Sequence, residues 1–389
     1  MIVIDTVRFA AGYIAQVTRM ILQNDFKRQW DEVGEAALGA VRRVGSSGWY
    51  ILGQEVDAFE KALAEFWGVD HVVGTGNGLD ALEIGLRCLG LRPNDKVLTT
   101  PLSAFATTLA ILRAGGVPVF ADVDNTGAID LAQCRELLER DRSIRYFVPV
   151  HLYGIPLDLE KLGQLQRDFG LRLVEDCAQS IGASVTKHRS GTIGQVAATS
   201  FYPTKNLGAL GDAGAVLTND SAIAATAREL RNYGQSAHYV HSRLGLNSRL
   251  DELHAAIMRD AFLPRLKVWT EKRRAIAQRY LGEIRNPALE LLRVNPGANA
   301  VWHLFPILVR PESRANFRAH LERCGIMTGI HYPHIIPDQS ALASVPFEKA
   351  SALENAIRFS RSEVSLPIHP FLSQQEVESV IAACHNWSE

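Results

Sequence analysis

An α/β fold is predicted, with a mostly parallel central sheet in a large domain and a smaller α+β domain at the C-terminal end. Three observations carry it. Apolar residues at helical spacing alternate with short runs of β-forming residues over the first two thirds of the chain. Such alternation implies crossover connections, and these join parallel strands. From about Pro264 onward the pattern changes to a long charged helix followed by isolated strands and helices.

Taken in order, Val56, Phe59, Leu63 and Phe66 mark one amphipathic helix, and Leu79, Leu82, Leu86 and Leu89 mark another. Strand-like runs follow at Val97–Thr100, Val117–Ala121, Tyr146–Val150, Leu171–Val174, Ala197–Phe201 and Ala215–Thr218. In the last third, Val268–Ile284 reads as a helix and Trp302–Val309 as a strand. Pro311–Cys324 reads as a helix closed by Gly325. Ser373 and Glu376 have capping-box spacing before Val377, Val380 and Ile381. The expected division is an N-terminal extension at 1–23, a large domain at 24–264 and a small domain at 265–389.

The 389 residues are 47% apolar and 21% charged, which supports a large buried core. A formal net charge of -1 provides no electrostatic footprint for nucleic acid or an acidic membrane. Five scattered cysteines without a Cys-x-x-Cys pair argue against a zinc ribbon or disulfide framework and for a reducing compartment. Asp5, Arg8 and Arg19 interrupt the apolar stretches near the N-terminus, so no membrane span or signal peptide is expected there. The expectation is a soluble, cytoplasmic protein, with Met20 as an alternative translation start.

In an open parallel sheet, ligands bind beyond the carboxyl ends of the strands, so the residues that follow the strand runs are the candidates for chemistry. The segment Ser200 to Gly214 places Lys205 among glycines and turn residues, five positions after Ser200. A desolvated lysine there suits a carbonyl cofactor held through an imine, and a serine hydroxyl suits its phosphate. A surface turn lysine is the bland alternative. Asp176 closes an apolar run 29 residues earlier. A buried aspartate of this kind keeps the ring nitrogen of pyridoxal phosphate protonated, and Gln179 in the same turn is placed for the ring hydroxyl. A helix N-cap is the competing role for Asp176.

Val72 to Asp80 reads as strand, glycine turn and helix, an arrangement that offers free N–H groups to a phosphate. Its glycines at 74, 76 and 78 lack dinucleotide spacing, so a single phosphate is expected, with a plain tight turn the competing reading. Phe105 follows a strand end, where an aromatic can stack on a ring or fill a core. His331 and His334, like His238 and His241, have His-x-x-His spacing without the context of a zinc site, and no metal is assigned to either pair.

Together these pieces resemble the DegT/DnrJ family of fold-type I pyridoxal-phosphate sugar aminotransferases. The likeness runs from about Asn24 to Trp387. It is carried by Gly48-Trp-Tyr-Ile-Leu-Gly53, Gly76-Asn-Gly-Leu-Asp-Ala-Leu82, Val150-His-Leu-Tyr-Gly154, Val174-Glu-Asp-Cys-Ala-Gln179, Ser200 to Gly214, Gly245 to Glu252 and His331-Tyr-Pro333. The resemblance implies that Lys205 carries the pyridoxal 5'-phosphate and moves the reacting proton. It implies that Asp176 pairs with the ring nitrogen and Gln179 with the ring oxygen. Phe105 would stack on the ring, and Ser200 with the N–H groups of Gly78 and Leu79 would hold the phosphate. It assigns Asn247 to the phosphate of the partner subunit, hence an obligatory homodimer, and Trp49, Tyr50 and His331 to substrate. The variants present look most like enzymes that aminate C3 of a dTDP-3-keto-6-deoxyhexose, with glutamate as the usual donor. A sugar dehydratase, a keto-cyclitol aminotransferase and a non-catalytic regulator are the alternatives. Retention of Lys205 favours transamination, whereas Leu79 departs from the threonine of many relatives.

Overall fold

The computed structural model describes residues 20–389. Most of the expected N-terminal extension therefore lies outside the described residues. Its last residues are tied into the fold: Ile21 pairs with Ile326, and the Gln23 amide donates to the carbonyls of Met327 and Ser365.

Twelve helices of six or more residues are described: α1 Phe26–Ser47, α2 Gln54–Trp67, α3 Gly78–Cys88, α4 Phe105–Arg113, α5 Leu131–Arg140, α6 Leu159–Phe169, α7 Ser221–Arg231, α8 Glu252–Ile257, α9 Leu266–Glu283, α10 Arg314–Arg323, α11 Glu354–Ser362 and α12 Gln374–His385. The large sheet takes β1 His71–Thr75, β2 Lys96–Thr99, β3 Val117–Phe120, β4 Tyr146–Val148, β5 Arg172–Asp176, β6 Val196–Ser200 and β7 Gly214–Thr218. A smaller sheet holds β8 Glu290–Leu291, β9 Phe305–Leu308 and β11 Glu363–Leu366, while β10 Glu348–Lys349 joins the large one.

The large sheet has eight strands in the order β1-β7-β6-β5-β4-β2-β3-β10. All pairs from β6 to β10 are parallel, and β7 runs antiparallel to both β1 and β6. This is the mostly parallel sheet expected, and its near-continuous burial follows from cover on both faces. The two-residue β10 comes from the last quarter of the chain and pairs with β3 at the sheet edge. Nothing in its exposed Glu-Lys sequence signals a strand. The core beneath also mixes early and late residues: Leu102, Phe120, Val150 and Tyr153 share one apolar cluster with Ile276, Phe317, Phe359 and Trp387.

Local sequence explains most element ends. Asn77, Asp130, Asp158 and Asp220 accept hydrogen bonds from the first turns of α3, α5, α6 and α7. The capping box of Ser373 and Glu376 forms at α12. The expected strand Trp302–Val309 is shorter, because Trp302 adopts φ 48°, a left-handed conformation that no extended strand accepts. The expected helix at 311–324 begins as a 3₁₀ turn over Pro311–Ser313 before α10, and Gly325 closes it at φ 76°.

Glu376 has a second task. Both its oxygens bind Arg28 at 2.7 Å, which fastens α1 to α12. The guanidinium holds its carboxyl down at about 2. Because the folded-state pKa is depressed, this stabilisation is complete above the unfolded value near 4.5 and is lost as pH falls toward 2. Glu376→Gln is expected to lower stability at pH 7 by about 1–2 kcal/mol in denaturant unfolding. The deficit should shrink toward zero below pH 3; a deficit constant over that range contradicts the account.

Candidate active site

Asp176 ends β5 at the carboxyl edge of the sheet, buried at 4% exposure. No helix starts there, so it is not a helix N-cap: Oδ1 accepts from the N–H of Ala178 and Oδ2 from the hydroxyl of Thr107 at 2.9 Å. Thr107 lies in the first turn of α4 and shares a 2.9 Å hydroxyl contact with Ser103. Phe105, two residues before Thr107, opens α4 and packs at the edge of the same apolar cluster as Tyr332. Nothing in the local sequence marks Thr107 or Ser103 as part of a site. Their spacing of four was the available signal, but it names no partner.

Lys205 sits in the turn between β6 and β7, its N–H bonded to the carbonyl of Tyr202. Burial lowers its amine from 10.5 to about 8, against the opposing attraction of Asp176. Burial in turn raises the Asp176 carboxyl, against Ala178, Thr107 and the Lys205 charge. The two groups thus face one desolvated space, and each is the other's partial compensation.

At the near end of β6, Ser200 meets the start of α3. A Cβ on Gly78 would come within 2.6 Å of the Ser200 Cβ, so only glycine permits this approach. A Cβ on Gly214 would strike the backbone of Asn77 and Gly78 at 2.4–2.7 Å. Asn77 caps the N–H of Asp80, and among the described residues the N–H groups of Gly78 and Leu79 have no hydrogen-bond partner. Two open amides, a helix N-terminus and a serine hydroxyl therefore converge on one spot. The Ser200 hydroxyl accepts from the Tyr202 N–H at 3.2 Å, which orients it.

Gln179 is buried and fully engaged at one end. Its carbonyl oxygen accepts from the N–H of Tyr153 at 2.6 Å, and its amide donates to the Tyr332 hydroxyl at 3.2 Å. His331 lies next to Tyr332; burial and the Lys205 charge lower its pKa to about 4, so it is neutral at physiological pH. Trp49 and Tyr50 are 62% and 51% exposed. Their loop is anchored by Glu252, whose carboxylate accepts from the N–H groups of Gly53, Glu55 and Val56. Asn247 is exposed, and its neighbour Ser248 accepts from the N–H of Gly76 at 3.0 Å. Among the described residues, Trp49, Tyr50 and Asn247 make no hydrogen bond to Asp176, Lys205 or Ser200.

The site has the features of a pocket for an aldehyde with a phosphate and a basic ring nitrogen. A model of the DegT/DnrJ/EryC1/StrS aminotransferase family matches residues 31–385. The chain belongs to this family. It is 40% identical to dTDP-3-amino-3,4,6-trideoxy-alpha-D-glucose transaminase of Streptomyces venezuelae, over 94% of this chain and 95% of that protein. It is 42% identical to the erythromycin biosynthesis sensory transduction protein EryC1 of Saccharopolyspora erythraea, covering 88% and 93% of the two chains. Its fold superposes on the crystal structure of S. venezuelae DesV in complex with a ketimine intermediate, with a TM-score of 0.90 and 38% identity over 95% and 99% of the chains.

As a member of this aminotransferase family, the protein is a pyridoxal-phosphate-dependent transaminase of fold-type I. The residues present fit that cofactor. Asp176 is a buried acid short of a cation, which a protonated ring nitrogen would supply. Lys205 is an amine partly deprotonated near neutrality, and the Gly78–Ser200 approach leaves donors for a phosphate. A second buried cluster, His151, Glu175 and Cys177, has donor atoms within 4.8 Å of one another. Its hydrogen bonds are already used within the protein. His151 Nε2 binds Glu175 at 2.9 Å and Nδ1 accepts from Leu157, while Glu175 also accepts from Gly191, Ile193 and Gly194.

The lowered Lys205 pKa has a measurable consequence. Covalent uptake of pyridoxal phosphate by the apoenzyme should accelerate as pH rises, with a midpoint near 8 followed by visible absorption. A midpoint close to 10.4, the free-lysine value of about that size, overturns the desolvation argument.

Proposed function

We propose that this transaminase moves an amino group from an amino acid, glutamate in the usual case, to C3 of a dTDP-3-keto-6-deoxyhexose in the cytoplasm. The carrying observation is the coupling of buried Asp176 with half-buried Lys205 beside the open N-terminus of α3. The S. venezuelae relative supports the sugar class: it is named for a dTDP-3-amino sugar, and identity holds over nearly the whole of both chains. A further relative, 40% identical over 90% of this chain, is named dTDP-3-amino-3,6-dideoxy-alpha-D-galactopyranose transaminase, from Aneurinibacillus thermoaerophilus. Among the described residues no helix is long and apolar enough to cross a membrane, and the five cysteines are free.

In this reading Asp176 pairs with the ring nitrogen, Gln179 approaches the ring oxygen and Phe105 stacks on the ring. Ser200 and the N–H groups of Gly78 and Leu79 hold the phosphate. Bound there, pyridoxal phosphate supplies an electron sink that lets an amino group pass between amino acid and ketosugar. Asp176, held by Thr107 and Ala178, keeps its charge directed at the ring nitrogen. Lys205 first holds the cofactor; its freed Nζ, neutral for part of the population near pH 8, takes up and returns the reacting proton. Trp49, Tyr50 and His331 contact substrate. The exposure of Trp49, Tyr50 and Asn247 suits a homodimer in which they complete the partner's site, with Asn247 on the partner's phosphate.

Lys205→Ala and Lys205→Arg should abolish amination of dTDP-3-keto-6-deoxyhexose by glutamate, and borohydride reduction of the wild type should leave its tag on residue 205. Near-normal turnover in either variant, or a tag elsewhere, removes the assignment. The shared site is tested by mixing. Lys205→Ala and Asn247→Ala are each expected to be impaired, while refolded mixtures should recover up to about a quarter of wild-type activity, because half the dimers then hold one intact site. Mixtures no better than the parents count against sharing.

A further inference from the structure

His331 is held on every side but one. Its backbone N–H donates to Glu363 Oε2 at 2.6 Å, and its carbonyl accepts from the Tyr153 hydroxyl at 2.7 Å. Its ring lies against Gly329, where an added Cβ would stand 2.7 Å from Cε1. Gly329 has no left-handed backbone that demands glycine, so the space for the ring is what requires it. Nδ1 meets the Ser365 hydroxyl at 2.8 Å, and that hydroxyl donates to Glu363 Oε1. Ser365 and Glu363 are both fully buried on β11, two residues apart and so on one face of the strand. Gly329 is bonded in both directions to the Ser365 backbone, which locks the distance from strand to ring. Among the described residues Nε2 has no hydrogen-bond partner, and the charge of Lys205 reaches this ring.

We propose that Ser365 and Glu363 are positioning residues for His331, aiming Nε2 at the bound sugar and setting which ring nitrogen carries the proton. The placement of the sugar rests on the function proposed above; the Glu363–Ser365–His331 chain does not.

The logic is that of a hydrogen-bonded relay. When Glu363 is ionised it can only accept. Ser365 then donates to it and accepts from Nδ1–H, which leaves Nε2 as a bare acceptor. When Glu363 carries a proton it donates to Ser365, Ser365 donates to Nδ1, and the ring proton resides on Nε2. Passing from the second state to the first releases one proton to solvent and moves the ring proton from Nε2 to Nδ1. Burial raises the Glu363 carboxyl to about 8, opposed by Ser365, the His331 N–H and the Arg314 and Arg318 charges on α10. Tyr153 and Tyr332 also face it, and burial pushes both phenols up, so neither ionises in this range. His303, whose pKa burial pushes well down, lies near His331 and Lys205 and is neutral too. The exchange therefore falls close to pH 8.

The test uses holoenzyme labelled with ¹⁵N-histidine, the His331 signals being identified by their loss in His331→Gln. From pH 6.5 to 9.5, wild-type Nε2 should pass from protonated to bare. In Glu363→Gln it should stay in one form throughout, and Ser365→Ala should uncouple the ring from pH. Normal cofactor absorbance shows that each variant is folded. Ser365→Ala should also raise the KM for the ketosugar roughly tenfold, the lower end of what losing the hydrogen-bond partner of a metal-bound histidine costs. Wild-type tautomer behaviour in both variants overturns the proposal. A coupled tautomer together with an unchanged sugar KM in His331→Gln overturns the sugar placement alone.

Discussion

Two opposite charges that neither water nor a full set of partners satisfies define this protein. Asp176 and Lys205 leave different strand ends of one sheet and meet where burial penalises both. A carboxylate raised by burial and an amine lowered by it are each held short of their most stable state. In the proposed site, the cofactor's ring nitrogen and aldehyde answer these two deficits. The remainder of the site keeps the arrangement open: Thr107 and Ala178 occupy one lone pair on each Asp176 oxygen, and β5 and β6 run parallel side by side so that both ends emerge at the same edge.

The proposed phosphate end obeys a separate constraint, that of close backbone approach. Gly78 and Gly214 allow β6, β7 and the start of α3 to come together at distances that any side chain would forbid. The antiparallel insertion of β7 between β1 and β6 is what brings Gly214 there. The sheet therefore departs from uniform parallel order at the strand that borders the proposed phosphate site.

A third layer is the polar network around His331. Tyr153, Tyr332, Gln179, His331, Ser365 and Glu363 form a connected polar group drawn from both ends of the chain. Buried polar networks of this kind are costly unless each member is satisfied. Among the described residues, Nε2 of His331 has no hydrogen-bond partner, and the charge of Lys205 reaches its ring. Glu175 and His151 play a quieter part, tying the loop at 191–194 under the same sheet edge.

Much of this was legible in the sequence. The alternation of periods revealed the sheet, and local signals at Asn77, Ser373 and Gly325 marked helix ends. Asp176, Lys205, Ser200 and the glycine turn could be read as chemistry because each sits where a strand stops, and strand ends are encoded locally. Thr107, Ser103, Glu363 and Ser365 could not. Their meaning lies in partners 69 residues away in one case and 34 in another, and no periodicity records such distances. The edge strand β10 and the left-handed Trp302 were hidden for the same reason. Local propensity and spacing determine which elements form and what chemistry they can carry. Only the packing of distant segments decides which groups lose water together, and that shared desolvation is what gives Asp176, Lys205 and His331 their properties.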